Sequence, residues 1–363
     1  MISESLQIRI FKVFILMTPL LINPFSGLPD NIKLLMFFLA SFFYFTINKL
    51  KKDLNPIFKY SIASLIALGG ISTMLSTNIY LSFWGSPDRC FGFFLFLLTV
   101  FLALGLPKIK SSKLFNILIS SGVIVSIIAL LLGIFVEASL FEGRIAGTLG
   151  NPNLLGQFLL VPLFLTIYKL LKKRKKSDLL LIIPQALALI LSGNRASIFA
   201  LIIVTFLYLI SSKKSWKILA SFATIFGGIC LILIKRILSF ESIQTRLELY
   251  ESGTKALTEN PLWGVGFEQI QHVLQVPETY TLVVDRVHQP FLDLALMGGI
   301  PFMISILILI GTTLFILLKK EKALGFALLG LLISLQFNFM GVMDMILFGI
   351  FIGVAINSTK KPL

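Results

Sequence analysis

Residues 284–300 place a titratable imidazole among charged side chains, immediately before a long apolar segment. His288, one of two histidines in the 363 residues, follows Asp285 and Arg286, and Asp293 comes five residues later. An imidazole titrates near neutral pH and can accept a proton from a hydroxyl group. Asp285 could hold the ring in place or could be solvated. The residue types therefore indicate a candidate general base where the chain enters the apolar segment.

Five arginines stand close to the ends of apolar segments. An arginine is always charged and can grip phosphate oxygens with two parallel hydrogen bonds. Each one could instead pair with a local acid or reach toward lipid headgroups. We expect Arg144, Arg195 and Arg246 to converge on one anionic site. The same chemistry makes Arg89 and Arg286 candidates for binding substrate phosphate or sugar.

Two short motifs could bring backbone groups to the same anion. Asn151 and Asn153 flank a proline in a pattern typical of a helix start. A helix N-terminus offers free N–H groups and a partial positive charge, which suit a phosphate. Gly264 and Gly266 would let the backbone approach a ligand closely. A simple turn after the end of a helix is the alternative interpretation of this glycine pair.

The remaining candidates concern sugar and metal binding. Asp293 and Glu268 could bind sugar hydroxyls, although solvated loop acids are the alternative. The second histidine, His272, lies among polar residues and is predicted to be exposed. The chain has no Asp-x-Asp sequence of the kind that commonly holds a divalent cation, so no metal ligands are assigned. Three aromatic side chains could stack on sugars or anchor the chain at a membrane interface: Tyr250, Trp263 and Tyr280.

The elements that must position these residues are apolar helices. Hydrophobic residues make up 56% of the chain, charged residues 13%, and the mean hydropathy is +0.94. Continuous apolar runs of about 17–25 residues favour an all-α, polytopic membrane protein over a barrel. The tenth run is long and is expected to break at Gly298–Gly299 and Pro301. The twelve predicted spans are 10–26, 31–48, 58–76, 90–107, 114–136, 153–171, 179–194, 196–211, 217–236, 290–318, 323–339 and 341–357.

The distribution of charge predicts the orientation. With both termini in the cytoplasm, 23 of the 32 Lys and Arg residues fall on the inner side, as the positive-inside rule requires. The net charge of +15 therefore needs no nucleic-acid partner. Residues 237–289 form the one long segment outside the membrane, between the ninth and tenth spans, within a single membrane domain of residues 1–363. The two cysteines, Cys90 and Cys230, suggest no disulfide framework.

Taken together, the motifs resemble the superfamily of O-antigen ligases and Wzy polymerases, which are bacterial membrane glycosyltransferases. The resemblance covers residues 82–305, and the twelve-span plan agrees with a GT-C-like architecture. No single motif is decisive, but five occur in order, each at the predicted outer face. They are SFWGSPDRCFG, GRIAGTLGNPNLLGQFLL, LSGNRASIFAL, RLELYESGTKALTENPLWGVGFEQI and VDRVHQPFLDLALMGGIPFMI.

This resemblance implies an activity and a location. Such enzymes transfer a glycan from a polyprenyl diphosphate to an acceptor hydroxyl, on the outer face of the bacterial cytoplasmic (inner) membrane, with inversion and without a metal or other cofactor. The family's arginines hold the diphosphate, a role that falls here to Arg144, Arg195 and Arg246. A histidine of the outer loop acts on the acceptor hydroxyl, which here is His288. Arg195, Arg246 and His288 are thus the expected catalytic residues.

The chain departs from the family pattern at three positions. Gln289 follows the histidine where asparagine is frequent, and Tyr250 stands where tryptophan is frequent. These two departures weaken any statement about acceptor binding. Asn194 precedes the arginine of the turn, where serine is common. None of the three removes a charged group from the expected chemistry.

Two other functional classes compete with an enzyme. A transporter or flippase for lipid-linked sugars would also need arginines for a diphosphate, but near the middle of the bilayer in broken helices. A membrane scaffold would need neither the arginines nor His288. The sequence does not distinguish ligase, polymerase and protein glycosylation, and it leaves open the sugar, the length of the carrier lipid, the oligomeric state and the envelope type.

Overall fold

The computed structural model is mostly helical over the residues that it describes. It describes residues 3–21, 29–48, 54–136, 140–141, 143–173, 177–212, 240–274 and 284–359. Within these ranges the α-helices are α1 (Glu4–Met17), α2 (Pro29–Ile47), α3 (Pro56–Leu75), α4 (Ile79–Trp84), α5 (Phe93–Gly105), α6 (Ser111–Phe135), α7 (Pro152–Lys173), α8 (Ser177–Leu191), α9 (Arg195–Ser211), α10 (Phe240–Glu259), α11 (Pro290–Lys320), α12 (Lys322–Leu335) and α13 (Val342–Thr359).

Among the described residues, six helices are long and apolar enough to cross a membrane: α2, α3, α6, α7, α11 and α13. Four more, α5, α8, α9 and α12, are apolar but shorter. Eleven of the predicted spans overlap described helices, while the ninth, 217–236, lies outside the described residues, as do Cys230 and Tyr280. The architecture is that of an all-α membrane protein, and the count of twelve spans stays a prediction. A pair of two-residue strands, β1 (Leu140–Phe141) and β2 (Arg144–Ile145), is antiparallel.

Apolar side chains lie both in the interior of the helix bundle and on its outer surface. α13 is central, packing against α2, α5, α7 and α11, and most of its side chains are buried. Large apolar side chains such as Phe42, Met74 and Phe135 are exposed on the outside of the bundle. A water-soluble protein rarely exposes so many, whereas a bilayer is a favourable environment for them.

α11 is broken near its start, as the sequence predicts. Gly299 has φ 83° and ψ 166°, which an L side chain rarely adopts, and Pro301 follows. The break leaves carbonyl oxygens of α11 without helical partners. The loop after α10 provides N–H groups that bond to them. The N–H groups of Val265 and Gly266 donate to the carbonyl oxygens of Leu296 and Met297, at 2.7 and 3.0 Å. In an apolar bundle such neighbours are what make a helix break tolerable.

The same contact explains the glycine pair. Gly264 and Gly266 have φ of +66° and +96°, and a Cβ on either would collide with protein atoms. At Gly264 the obstacle is the carbonyl oxygen of Leu296, and at Gly266 it is the side chain of Ser76. The close approach is therefore between two stretches of protein, and it matches the alternative interpretation of a turn that follows a helix.

Candidate functional site

Arg144, Arg195 and Arg246 line one cavity of about 580 Å³. They come from β2, from the first residue of α9 and from α10, three elements that are distant in sequence. Among the described residues that line this arginine cavity there is no Asp or Glu. Three guanidinium groups without a carboxylate in the lining favour an anionic ligand. The other lining residues are Asn153, Gly193, Asn194, Ala196, Phe199, Ile203, Ile333, Phe337 and Asn338.

The turn between α8 and α9 shapes the cavity around Arg144. Gly193 has φ +62°, and a Cβ there would lie 2.9 Å from Cδ of Arg144. The absence of a side chain at Gly193 thus leaves room for the aliphatic part of the arginine. Arg144 itself is half-buried and lines the arginine cavity.

Asn194 connects the start of α9 to the start of α7 beside the arginine cavity. Its Oδ1 accepts from the N–H of Ser197 at 3.1 Å and so caps α9. Its Nδ2 donates to the carbonyl oxygen of Asn153 at 2.7 Å, and Asn338 Nδ2 approaches its Oδ1 at 3.4 Å. The side chain is 2% exposed. A serine, common at this position in the family, is too short to cap α9 and reach α7 together.

Asn151 and Asn153 flank Pro152 at the start of α7, as predicted. Asn151 Oδ1 accepts from the N–H of Asn153 at 2.8 Å, and Pro152 is the first residue of α7. Asn153 also lines the arginine cavity, so the N-terminal ends of α7 and α9 meet beside the arginines. The partial positive charge of two helix starts adds to that of the guanidinium groups.

His288 lies in a confined setting at the start of α11. Its backbone has φ 60°, a conformation uncommon for a residue with a side chain. Its ring packs on Phe339, with the centroids 5.7 Å apart. Burial lowers the pKa of His288 to about 4; Asp285 opposes the shift, and Arg246, Arg89 and Arg286 add to it. The imidazole is therefore neutral at pH 7 and able to accept a proton.

Phe339 contacts both the His288 imidazole and the Arg89 guanidinium. The Arg89 guanidinium lies over the Phe339 ring, 4.2 Å from its centroid. Arg89 also holds Asp285 with two hydrogen bonds, Nε to Oδ2 at 2.8 Å and NH2 to Oδ1 at 3.2 Å. Gln157 Nε2 donates to the carbonyl oxygen of Phe339 at 3.1 Å and fixes its backbone. Asp285 thus pairs with Arg89 and acts on the imidazole through its charge.

Arg286, Glu268 and Asp293 are buried and contact other protein groups, and Asp293 lies in the first turn of α11. Arg286 is 3% exposed, forms an ion pair with Glu268 and stacks over Phe91 at 5.3 Å. Asp293 is buried and accepts from the N–H of Val287 at 2.9 Å. The alternative of solvated acids is therefore wrong for both Glu268 and Asp293. None of the three lines the arginine cavity.

Other predicted residues have simpler surroundings. Gln289 caps α11, since its Oε1 accepts from the N–H of Leu292. Tyr250 lies one turn after Arg246 on α10 and is half-buried, while Trp263 is exposed. His272 is exposed, as expected from its polar neighbours.

The segment 336–341 contributes site residues that sequence reasoning missed. Asn338 and Phe337 line the arginine cavity, and Phe339 contacts His288. The sequence prediction placed residues 336–339 inside the eleventh span, whereas α12 ends at Leu335. The polar residues Gln336 and Asn338 within an otherwise apolar run, followed by a glycine, were the available signal.

Within the described ranges, no group of three or more His, Cys, Asp or Glu side chains is arranged to hold a metal ion. Residues 179–305 match the family model described as O-antigen ligase. No curated protein matches the chain. The matched region contains Arg195, Arg246 and His288, whereas Arg89 and Arg144 precede it. The match confirms the resemblance to the O-antigen ligase and Wzy family and supports glycan transfer of the ligase or polymerase type.

Proposed function

We propose that this protein, whose residues 179–305 match the O-antigen ligase family, transfers a glycan from a polyprenyl diphosphate to an acceptor hydroxyl. One observation carries the proposal: Arg144, Arg195 and Arg246 share a cavity whose described lining has no acid. A neutral imidazole, His288, lies close enough for the charge of Arg246 to lower its pKa. A diphosphate site beside a base is the arrangement that this reaction requires.

The arginine cavity would hold the diphosphate of the donor. As the bond between the anomeric carbon and the diphosphate oxygen breaks, the diphosphate leaves with the electron pair and its negative charge grows. Fixed guanidinium groups stabilise that charge more in the transition state than in the ground state. Positive side chains would therefore do the work of a divalent cation, so we propose a metal-independent reaction.

The apolar side of the arginine cavity fits the carrier lipid. Phe199 and Ile203 are one turn apart on α9 and face the cavity together with Ile333 and Phe337 near the end of α12. Phe337 is also exposed on the outside of the bundle. An isoprenoid chain could therefore run from the arginines past these side chains to the bilayer.

His288 would take the proton of the acceptor hydroxyl. The hydroxyl oxygen attacks the anomeric carbon on the face opposite the leaving diphosphate, so the configuration is inverted. Arginine charges contribute to the low pKa of the imidazole, and a bound diphosphate would neutralise part of that charge. The pKa of His288 would rise on donor binding, which makes the imidazole a stronger base when a donor is present.

Arg89, Arg286 and Asp293 would position the site. Arg89 holds Asp285 beside the imidazole, and the buried pair of Arg286 with Glu268 fixes the segment that leads to His288. Asp293 fixes the backbone of Val287, the residue before the base. We propose that the main role of these three residues is to position His288, and that contact with the sugar is secondary.

The reaction would occur on the outer face of the bacterial cytoplasmic membrane, with both termini inside. The positive-inside distribution of Lys and Arg supports this orientation. A transporter of lipid-linked sugars is the second candidate. Arg144 is in β2, Arg195 begins α9, and Arg246 is in α10, which is not among the helices apolar enough to cross a membrane. A carrier would be expected to hold its substrate near mid-membrane in discontinuous helices. This placement favours the enzyme.

The test is glycan transfer in membranes that contain EDTA and lipid-linked glycan from the host. His288→Ala is expected to lower the transfer rate by about 10²–10⁴-fold, the usual contribution of a general base. Arg195→Ala is expected to lower it by about 10²–10³-fold through lost stabilisation of the leaving group. His272→Ala and Arg9→Ala, at exposed positions elsewhere, are the matched controls. Normal transfer by His288→Ala would contradict the assignment and direct the work to lipid flipping.

A further inference from the structure

A second large cavity, of about 660 Å³, is lined by four lysines: Lys169, Lys172, Lys320 and Lys322. It lies far from the arginine cavity along the same helices. Asn153 and Lys169 are both on α7 and are separated by about 24 Å at 1.5 Å per residue. This lysine cavity therefore occupies the opposite end of the bundle, which the positive-inside distribution assigns to the cytoplasmic side.

The lysine cavity carries an excess of positive charge. Its lining contains two acids, Asp178 and Glu321, against the four lysines. Ser111, Ser177, Asn116 and Tyr168 add hydroxyl and amide groups to the lining. A neighbouring cavity of about 340 Å³ shares Ser111 and Glu321 and adds Lys108 and Lys110. The charge and the polar groups together suit an anion such as a phosphate ester.

Two of the lysines have a structural role as well. Lys320 Nζ donates to the carbonyl oxygen of Ser358, near the C-terminal end of α13. Lys322 Nζ donates to the carbonyl oxygen of Ser211, at the end of α9, at 2.9 Å. Both contacts satisfy helix ends. Lys172 Nζ lies instead beside Tyr168, 3.3 Å from its hydroxyl oxygen and 5.6 Å from the centroid of its ring.

The lysine cavity also contains a carboxylate, that of Asp178, with one oxygen that lacks a hydrogen-bond partner among the described residues. The residue is 2% exposed, and its Oδ1 lies 3.5 Å from Nζ of Lys169. Its Oδ2 is buried, and among the described residues it has no hydrogen-bond partner. A buried carboxylate oxygen in a native protein normally accepts at least one hydrogen bond. A ligand that brings both a phosphate and a hydroxyl group would satisfy the lysines and Asp178 together.

We propose that the lysine cavity binds the headgroup of an anionic phospholipid. The phosphodiester oxygens would accept from Lys169 and Lys172, and a headgroup hydroxyl would donate to Asp178. The cavity lies between the ends of apolar helices, with Tyr168 beside it, where lipid headgroups occur. Basic pockets between membrane helices are suited to such headgroups. This site is independent of the proposed glycan transfer.

The experiment uses the full-length protein in phosphatidylcholine nanodiscs with increasing phosphatidylglycerol. Native mass spectrometry counts the phosphatidylglycerol molecules retained, and the thermal unfolding midpoint gives a second readout. Phosphatidylglycerol supplies both the phosphodiester and a headgroup hydroxyl, whereas phosphatidylcholine supplies no donor for Asp178. We expect the wild type to retain phosphatidylglycerol and to unfold at a higher temperature as its fraction rises.

The variants separate the lysine cavity from general surface charge. Lys172→Gln is expected to weaken retention about fivefold, the effect of one surface-proximal lysine on an anionic headgroup. The double variant Lys169→Gln/Asp178→Asn replaces the ion pair by uncharged groups of similar size and is expected to weaken retention further. Lys59→Gln is the matched control, because Lys59 also lies over a neighbouring tyrosine, Tyr60, outside this cavity.

Three results would overturn the proposal. Equal losses in Lys59→Gln and Lys172→Gln would show attraction by general surface charge. Unchanged retention in the double variant would place the lipid elsewhere. Inorganic phosphate or glycerol phosphate that stabilises the protein as much as phosphatidylglycerol does would show a site for a soluble anion. Transfer of glycan by Lys172→Gln is expected to stay normal, which keeps this outcome separate from that of the proposed function.

Discussion

Replacing Phe339 by alanine should move the acid limb of the pH–rate profile. The ring is 5% exposed and covers both the His288 imidazole and the Arg89 guanidinium. Burial is the main reason why the pKa of His288 falls to about 4. Phe339→Ala admits water to the imidazole, so its pKa should return toward the ordinary value of about 6.5. Because only the neutral imidazole accepts a proton, activity is lost below the pKa.

The expected size follows from the neutral fraction of His288. At pH 5 this fraction is about 90% for a pKa of about 4, and about 3% for a pKa of about 6.5. The variant should therefore be about 30-fold slower than the wild type at pH 5 from this cause alone. At pH 7.5 both forms are about 90% neutral or more, so the same cause predicts almost no difference there.

The assay is the initial rate of glycan transfer in membranes between pH 4.5 and 8, at donor concentrations well below KM, where the pH profile reports the pKa of the free enzyme. Each rate is divided by the rate of the same variant at pH 7.5, which removes any loss of folded protein. Phe339→Leu keeps an apolar cover and should keep an acid limb close to that of the wild type. A wild-type limb centred near pH 6.5 would refute the reasoning, as would superimposable profiles for Phe339→Ala and the wild type.

Three further substitutions test the packing around the site. Gly299→Ala should lower the thermal unfolding midpoint, because φ +83° and a nearby loop carbonyl exclude a Cβ, whereas Gly311→Ala, with no atom within 4 Å of the added Cβ, should not. Glu268→Gln should cost about 3–5 kcal/mol of stability by leaving Arg286 buried without its charged partner, as measured by denaturant unfolding, and the double variant with Arg286→Met should recover part of the loss. Asn194→Ser should retain a helix cap yet raise the KM for the donor, because the bond to α7 is lost; an unchanged KM would argue against a role in shaping the arginine cavity.

Much of the framework could be predicted because it depends on local pattern. Long apolar runs fixed the positions of most helices, and Gly298–Gly299 with Pro301 indicated the break in α11. The helix start at Asn151 follows from its side chain, which accepts from a backbone N–H two residues later. Such features need no knowledge of which helices are neighbours.

The partners of charged groups could not be predicted in the same way. Glu268 and Arg286 are 18 residues apart, and Arg89 and Asp285 are 196 apart, so only the packed bundle brings them together. Phe339 lay within a predicted span. Gln336 and Asn338 interrupt the apolar run around it, but nothing in the sequence indicates that this ring contacts His288. Its position depends on α12 ending at Leu335 and on a hydrogen bond from Gln157 on α7.

The hydrogen bonds between the loop after α10 and the broken start of α11 have a mechanical consequence. α10 carries Arg246, and the first segment of α11 begins two residues after His288. Three bonds join the loop to both sides of the break, including one from the N–H of Ile300 to the carbonyl oxygen of Pro261 at 2.8 Å. Gly253 of α10 also lies against Val287. These contacts tie α10, the loop after it and the start of α11 to one another. A displacement of that loop would therefore be expected to move Arg246 and His288, the proposed diphosphate contact and the proposed base, together.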